Sequence, residues 1–463
     1  MDNFIFHNPT RLIFGKGMIA QLSQQIPADK RIMITFGGGS VKTNGVYEQV
    51  IQALEGRDYT EFWGIESNPD ISTLKKAIES GKEKNIDFLL AVGGGSVIDG
   101  TKLISAGIPY DGDAWELVKK GSAQNTIPLG TVLTIPATGS EMNNGAVISC
   151  RETHEKYPFF SSHPVFSILD PTVTFSLPDY QIACGLADTF VHVMEQYMTK
   201  TNESYLMDRW SESILRTLVQ IAPQIKENKQ DYHLMSEFMM SATMALNGFI
   251  AMGVSEDWAT HMIGHELTAL HGMTHGQTLA IVFPGTLRTL ADKKRDKILQ
   301  SDLIWGVTSG VPSVRVSLTI EKTEEFFRNL GLKTRLDEAG IGDDTIEEIV
   351  RRFNERGAAY GEDGDVTGEV ARRILQNCKS KKETTDTEGT SMKTVILTSF
   401  KSDVRAHMLQ DLLKNEGIES MLQGEYTAQV LAYIPGMEIK VLVFEKDYAR
   451  AFEILKASFP EKV

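Results

Sequence analysis

Asp188, His192, His261 and His275 are the residues in this chain whose types and spacing most suit chemistry. Asp188 and His192 stand four apart in an apolar-patterned stretch, 185–194. In a helix that spacing stacks both side chains on one face. His261 opens a second such stretch, 258–265, and His275 follows the break at Gly272. Three imidazoles and one carboxylate suit a divalent transition metal, iron or zinc, and leave a position open for a substrate oxygen. Any one of these residues alone is more often structural. The i, i+4 pair followed by a histidine cluster favours metal. His265, one helical turn beyond His261, suits proton transfer as well as it suits packing. His271 reads better as a helix-end cap than as a catalytic group. Leu246, Phe249, Met252 and Trp258, just before the second stretch, read as core more readily than as a substrate pocket.

Two kinds of architecture must position these groups. The first third alternates strand and helix signals. Residues 31–36, 58–64, 87–92, 127–135 and 165–169 are strand candidates, and 71–84 has helical periodicity. Short apolar strands separated by helices predict a parallel sheet with helices on both faces. From about Pro178 to Cys378 long amphipathic segments follow one another, an all-helical region. The polar run 379–391 reads as a linker. Beyond it, 392–463 reads as a small α+β module, with strands at 393–398 and 441–444 and helices at 403–415 and 448–457. The expected domains are therefore 1–178, 179–378 and 392–463, joined by that linker.

Two strand–glycine–helix junctions fall in the first hundred residues. Glycines at the carboxyl end of a strand let backbone approach a phosphate, and the next helix offers free N–H groups. Gly93-Gly94-Gly95-Ser96, with Asp99 beyond it, is the candidate for a pyrophosphate. Gly37-Gly38-Gly39-Ser40 would lie near the adenosine ribose. An NAD site usually places an acidic residue there. This turn has none, and it has the Ser40 hydroxyl and Lys42 nearby, so NADP is expected over NAD. A third small polar turn, Thr138-Gly139-Ser140-Glu141, could close over the nicotinamide or the phosphates.

The chain has 463 residues, enough for two or three domains. Its formal net charge is −14, from 47 basic and 61 acidic residues, which argues against nucleic acid or an anionic membrane as main partner. Cys150, Cys184 and Cys378 form no CxxC motif and predict a reducing compartment, with Cys184 read as a small buried apolar group. No signal peptide or spanning segment is evident, so a cytoplasmic location is expected.

The Gly-Gly-Gly-Ser-x-x-Asp turn, the Thr-Gly-Ser-Glu turn, Asp188-x-x-x-His192 and the paired-histidine segment together resemble the iron-containing, or group III, alcohol dehydrogenases. Residues 9–17, 37–42 and 259–269 resemble its butanol dehydrogenase branch, above all the NADPH-dependent, broad-specificity aldehyde reductases. The likeness covers about residues 1–378. It implies a Rossmann-like dinucleotide-binding domain and a helical metal domain around a cleft, acting as a homodimer on small aldehydes and alcohols. Asp188, His192, His261 and His275 match all four ligand positions of the family. Gly38, Ser40, Gly94, Gly95, Ser96, Asp99, Thr134, Thr138, Ser140, Asn143 and Lys156 match its cofactor positions, with Lys156 implied beside the nicotinamide ribose. The family commonly reads Thr-Ala-Gly-Thr-Gly-Ser-Glu at the third turn. Here Thr134-Ile135-Pro136-Ala137 precedes Thr138, which reshapes the wall before the binding segment.

The segment 392–463 lies outside that pattern. It resembles small bacterial α/β modules of signal-transducing type, and carries no histidine or cysteine cluster and no glycine-rich turn. It is expected to do no chemistry. Binding an unknown regulator, aiding oligomerisation and passive attachment all stay open for it. Two other readings compete with an aldehyde reductase. One is a related NAD-using metal enzyme, such as a dehydroquinate-synthase-like lyase or a polyol dehydrogenase. The other is a non-enzymatic sensor on the same scaffold.

Overall fold

Alternation along the strands sets the central sheet. In the computed structural model, which describes residues 1–201, 203–307, 310–380, 394–423 and 439–462, six strands run parallel in the order β1-β8-β5-β4-β2-β3. They are β1 (Arg11–Phe14), β2 (Ile32–Phe36), β3 (Tyr59–Phe62), β4 (Phe88–Gly93), β5 (Leu129–Leu133) and β8 (Phe166–Leu169). Ile32, Ile34 and Phe36 of β2 pack with Leu90 and Val92 of β4 in one core. Met33, Leu89 and Ala91 point the other way into a second core. Both faces are thus buried, as a parallel sheet requires. Helix α1 (Val46–Ala53) covers the first face through Val46 and Val50. Helices α2 (Ile71–Glu83) and α3 (Gly95–Gly107) cover the second through Leu74, Ile78, Ile98 and Leu103. The Asp70 carboxylate caps α2 by accepting from the Ser72 amide at 3.0 Å.

Sequence reading missed two features here. β1 is a four-residue edge strand, only partly buried, so its apolar signal is short. An antiparallel hairpin, β6 (Gly145–Cys150) with β7 (Glu155–Phe160), stands apart from the main sheet.

The helical half begins with α4 (Asp179–Tyr197), buried throughout from Ile182 onward. Helices α5 (Ala259–His271), α6 (His275–Thr289), α7 (Pro312–Asn329) and α8 (Asp343–Arg356) follow. Residues 246–258 form no helix, and Leu246, Phe249, Met252 and Trp258 are half-buried rather than core. Phe249 stacks on Trp210 with ring centroids 4.4 Å apart.

Met1–Thr286 with Phe326–Lys379 form one unit, and Leu287–Glu325 with Ser380–Val463 form a second. In the second unit β9 (Thr394–Phe400), β10 (Ser420–Gln423) and β11 (Ile439–Phe444) make an antiparallel sheet in the order β10-β11-β9. One face packs on α9 (Asp403–Asn415) and α10 (Tyr448–Ser458) through Leu409, Leu413, Ala451 and Leu455. Met421, Leu442 and Phe444 pack instead against Val307, Val314 and Leu318. The linker expected at 379–391 lies, from 381 onward, outside the described residues.

Candidate active site

The three small turns of the sequence lie at one edge of the sheet. β2, β4 and β5 are neighbours, and all run in the same direction. Gly37 to Ser40 follows β2, Gly93 to Ser96 ends β4, and Thr134 to Ser140 follows β5. This carboxyl edge is where open α/β sheets bind ligands. Gly39 has φ of 107°, a left-handed conformation that places it at the start of a short helix, Ser40–Thr43. Gly94 precedes α3, whose first residues are Gly95 and Ser96. The Thr134 amide donates to the Gly93 carbonyl at 3.0 Å, tying the second turn to the third.

A buried polar network stiffens the third turn. Asp99 accepts from the Ser140 hydroxyl at 2.6 Å and from the Val147 amide at 2.9 Å. Lys102, fully buried on α3, donates to Ser140 Oγ at 2.8 Å, Asn143 Oδ1 at 3.0 Å and the Gly145 carbonyl at 2.6 Å. Burial pushes the Lys102 pKa down to about 8 against the pull of Asp99 and Glu141. The Asn143 amide donates to the carbonyls of Gly139 and Leu246, both at 2.9 Å. Asp99 and Asn143 thus hold the turn in place. Thr138 Oγ1 accepts from the Ser140 amide at 3.2 Å.

The metal-type residues converge from three helices. Asp188 and His192 sit on one face of α4, with His192 Nδ1 3.3 Å from Asp188 Oδ1. His261, in the first turn of α5, and His275, at the start of α6, each bring Nε2 to 3.7 Å from the same oxygen. The candidate ligand atoms of Asp188, His261 and His275 lie within 4.8 Å of one another. His192 stands outside that tightest group, but its ring lies 4.4 Å from that of His261. Gly276 makes the approach of α6 possible, because a Cβ there would come within 2.2 Å of the Cys184 carbonyl oxygen on α4. Gly185 does the same for the third turn, since its Cβ would meet the Pro136 carbonyl at 2.5 Å.

Asp188 Oδ1, His192 Nδ1 and His261 Nε2 are buried without a hydrogen-bond partner, and His275 Nε2 lies 3.7 Å from the first of them. Orphaned buried polar atoms cost about 1–3 kcal/mol each. Three at one point, from a carboxylate and two imidazoles with the His275 imidazole beside them, fit a divalent cation that would satisfy them together. Burial pushes the Asp188 pKa up, but His192, His261 and Lys156 outweigh it and hold the carboxylate below its ordinary range. Burial lowers His192 to about 4 and takes His275 well below the usual imidazole range, so both imidazoles are neutral. His261 alone is raised, to about 9, because Glu195 and Asp188 outweigh its burial.

Glu195 was not singled out from sequence, although it lies seven residues past Asp188 on the same helical face. Its Oε2 accepts from His261 Nδ1 and from the His261 amide at 3.2 Å. Its Oε1 accepts from the Thr260 amide at 2.6 Å. One carboxylate thus caps α5 and orients the His261 ring, as outer-shell carboxylates do for metal-ligating histidines. The Trp258 ring lies edge-on to His261 and His192, with centroids 5.2 and 6.1 Å away.

Lys156, on β7, stands between the two halves. Its Nζ donates to Asn68 Oδ1 at 3.0 Å, and the Asn68 amide donates to Ser96 Oγ at 3.3 Å. Burial pushes its pKa down to about 8, against the pull of both Asp99 and Asp188. His265 is buried, its Nδ1 has no partner, and its ring centroid lies 5.0 Å from that of His275. Burial, then Lys156, hold it well below the usual imidazole range. His271 Nε2 pairs with Thr345 Oγ1 at 3.0 Å, which joins α5 to α8. Cys184 is buried, and burial pushes its thiol up to about 11, an inert group.

Residues 9–171 match the family model of the iron-containing alcohol dehydrogenases, and 182–363 match the C-terminal model of the same family. The NADPH-dependent aldehyde reductase YqhD of Escherichia coli is 47% identical over 384 residues, 81% of this chain and 99% of the relative. The chain belongs to the iron-containing alcohol dehydrogenase family. The NADH-dependent butanol dehydrogenase A of Clostridium acetobutylicum is 38% identical, over 76% of this chain and 93% of its own length. Among solved structures, the substrate- and cofactor-free form of the Escherichia coli aldehyde reductase YqhD superposes with a TM-score of 0.75 at 45% identity, over 82% of this chain and all of the other. The NADH-dependent butanol dehydrogenase A of Thermotoga maritima gives 0.78 at 35%, over 82% and 99%. Residues 392–458 match a separate model described as "Putative prokaryotic signal transducing protein". Among the described residues no helix is long and apolar enough to cross a membrane.

Proposed function

We propose that this chain reduces short-chain aldehydes to alcohols with NADPH, and oxidises alcohols in the reverse direction, at the cleft between the glycine turns and the histidine cluster. The observation that carries the reading is the convergence of Asp188, His261 and His275 within 4.8 Å, with Lys156 close enough to feel both Asp188 and Asp99. A divalent metal, iron or zinc, held by Asp188, His192, His261 and His275 would supply Lewis acidity, and NADPH the hydride. Glu195 fixes the His261 ring so that Nε2 faces the cluster. Lys156 offers its ammonium to the ribose hydroxyls of the cofactor. His265, neutral and without a partner at Nδ1, relays the proton that completes the alcohol. Trp258 gives the cluster an apolar wall suited to an aliphatic chain.

The relatives are named for both NADPH and NADH, so the cofactor choice rests on this chain's own residues. Glu61 on β3 is the acidic group near the first turn. Its carboxylate is occupied by the Tyr47 hydroxyl at 2.8 Å and the Trp63 indole N–H at 2.7 Å. Lys42 lies over the Trp63 ring, 4.1 Å from its centroid, beside Ser40. A 2′-phosphate would meet a cation and an unopposed hydroxyl there. Cytoplasmic residence and a homodimer complete the reading, with a possible regulator for the C-terminal module. The test is oxidation of NADPH and of NADH by butanal on metal-reconstituted protein. Turnover with NADPH and little with NADH is expected; turnover with neither, in protein that holds metal, would sink the reading.

A further inference from the structure

One group of charges near the cleft holds neither the ligand positions nor the glycine turns. Glu266 follows His265 on α5, and 7% of its side chain is exposed. Two arginines of α8 meet it. Arg352 Nη1 lies 3.2 Å from Glu266 Oε2, and Arg356 Nη1 donates to Oε1. Arg352 Nη1 also donates to the His154 carbonyl at 2.6 Å, in the turn of the β6–β7 hairpin. The Arg356 guanidinium lies over the Tyr157 ring, 5.3 Å from its centroid. His154 Nδ1 lies 3.3 Å from the Ala269 carbonyl of α5. His154 and Tyr157 bracket Lys156.

The geometry points to Glu266, Arg352 and Arg356 as positioning residues: a clasp that locks the hairpin, and with it Lys156, onto the helix that carries His261 and His265. The inference rests on the aldehyde-reductase reading and names what sets the distance between its two halves. The base of the hairpin is held on α3, where Asp99 accepts from the Val147 amide and Lys102 donates to the Gly145 carbonyl, so what the clasp adds is a grip on the tip. Guanidinium forks serve this purpose because one group can hold a carboxylate and a carbonyl at once.

The test uses full-length, metal-loaded protein with Glu266→Gln and, separately, Arg356→Lys, at a partly exposed position that should tolerate the change. Two quantities are read: hydrogen exchange at the amides of 151–157, and kcat and KM for butanal with NADPH. The expected result is on the order of tenfold faster exchange at the hairpin alone, with kcat lowered on the order of tenfold while KM for butanal stays within about twofold. Unchanged exchange at the hairpin, or faster exchange with unchanged kcat, would overturn the clasp. Wild-type protein silent with butanal would overturn the reductase reading instead, and the exchange measurement would still decide whether the clasp holds the hairpin.

Discussion

Glu195 and His261 share a direct carboxylate–imidazole hydrogen bond, Oε2 to Nδ1, while the same carboxylate accepts from the amides of Thr260 and His261. The ring is thereby fixed with Nε2 turned to Asp188. Outer-shell partners of this kind typically contribute 10–100-fold to metal affinity. Glu195→Gln is expected to keep the fold and lose metal to a competing chelator at roughly 10–100-fold lower chelator concentration. Equal resistance to chelation would remove the orienting role.

Replacing a proposed ligand has a larger effect. Asp188→Asn removes the charge that balances the cation, and His275→Ala removes one imidazole. Either variant is expected to be purified with little metal and to lose nearly all turnover, yet still to quench or shift NADPH fluorescence on binding. Metal analysis beside the fluorescence titration checks both parts.

Lys156 gives a pH dependence with a definite sign. Burial lowers its pKa from the usual lysine range to about 8, so the ammonium is present below that pH and lost above it. A charge-assisted hydrogen bond to the cofactor is stronger than a neutral one by roughly twofold in energy. NADPH affinity should therefore weaken as pH rises through about 8. Lys156→Met should bind more weakly at low pH and show a flatter profile. A wild-type profile that stays flat through about pH 8 would contradict this.

His265 is expected to act on rate and not on metal binding. Positioned proton transfer is worth on the order of 10²–10⁴-fold. His265→Ala should retain wild-type metal content and lose kcat by an amount in that range. An unchanged kcat in metal-replete protein would leave His265 a packing residue.

Removing 380–463 should separate chemistry from stability. Among the described residues, no residue of that segment belongs to the ligand cluster or the glycine turns. Its removal would expose Val307, Val314 and Leu318, which pack against Met421, Leu442 and Phe444. Burying such a side chain contributes about 1.5–3 kcal/mol. The truncated chain is expected to melt at lower temperature and to keep its turnover per folded molecule. Loss of turnover in a folded truncation would assign the module a part in the reaction.

The sequence by itself determined what local periodicity can encode. Asp188 and His192 are four apart on a helix, so their shared face follows from helical pitch alone. The alternating cores of β2 and β4, and the glycines that end them, are likewise local signals. Tertiary structure decided the rest, because its physics is long-range. β1 and the β6–β7 hairpin are short and half-buried, and only their partners stabilise them. Lys102 looks like any surface lysine until Ser140, Asn143 and the Gly145 carbonyl, distant in sequence, supply three acceptors for a fully buried ammonium. Glu195 carried a faint signal, seven residues past Asp188, but its use depends on α5 arriving with its amides exposed. The ligand types could be read from the chain; that three helices bring Asp188, His261 and His275 within 4.8 Å depended on close packing at Gly276, where any side chain would have kept α6 off α4.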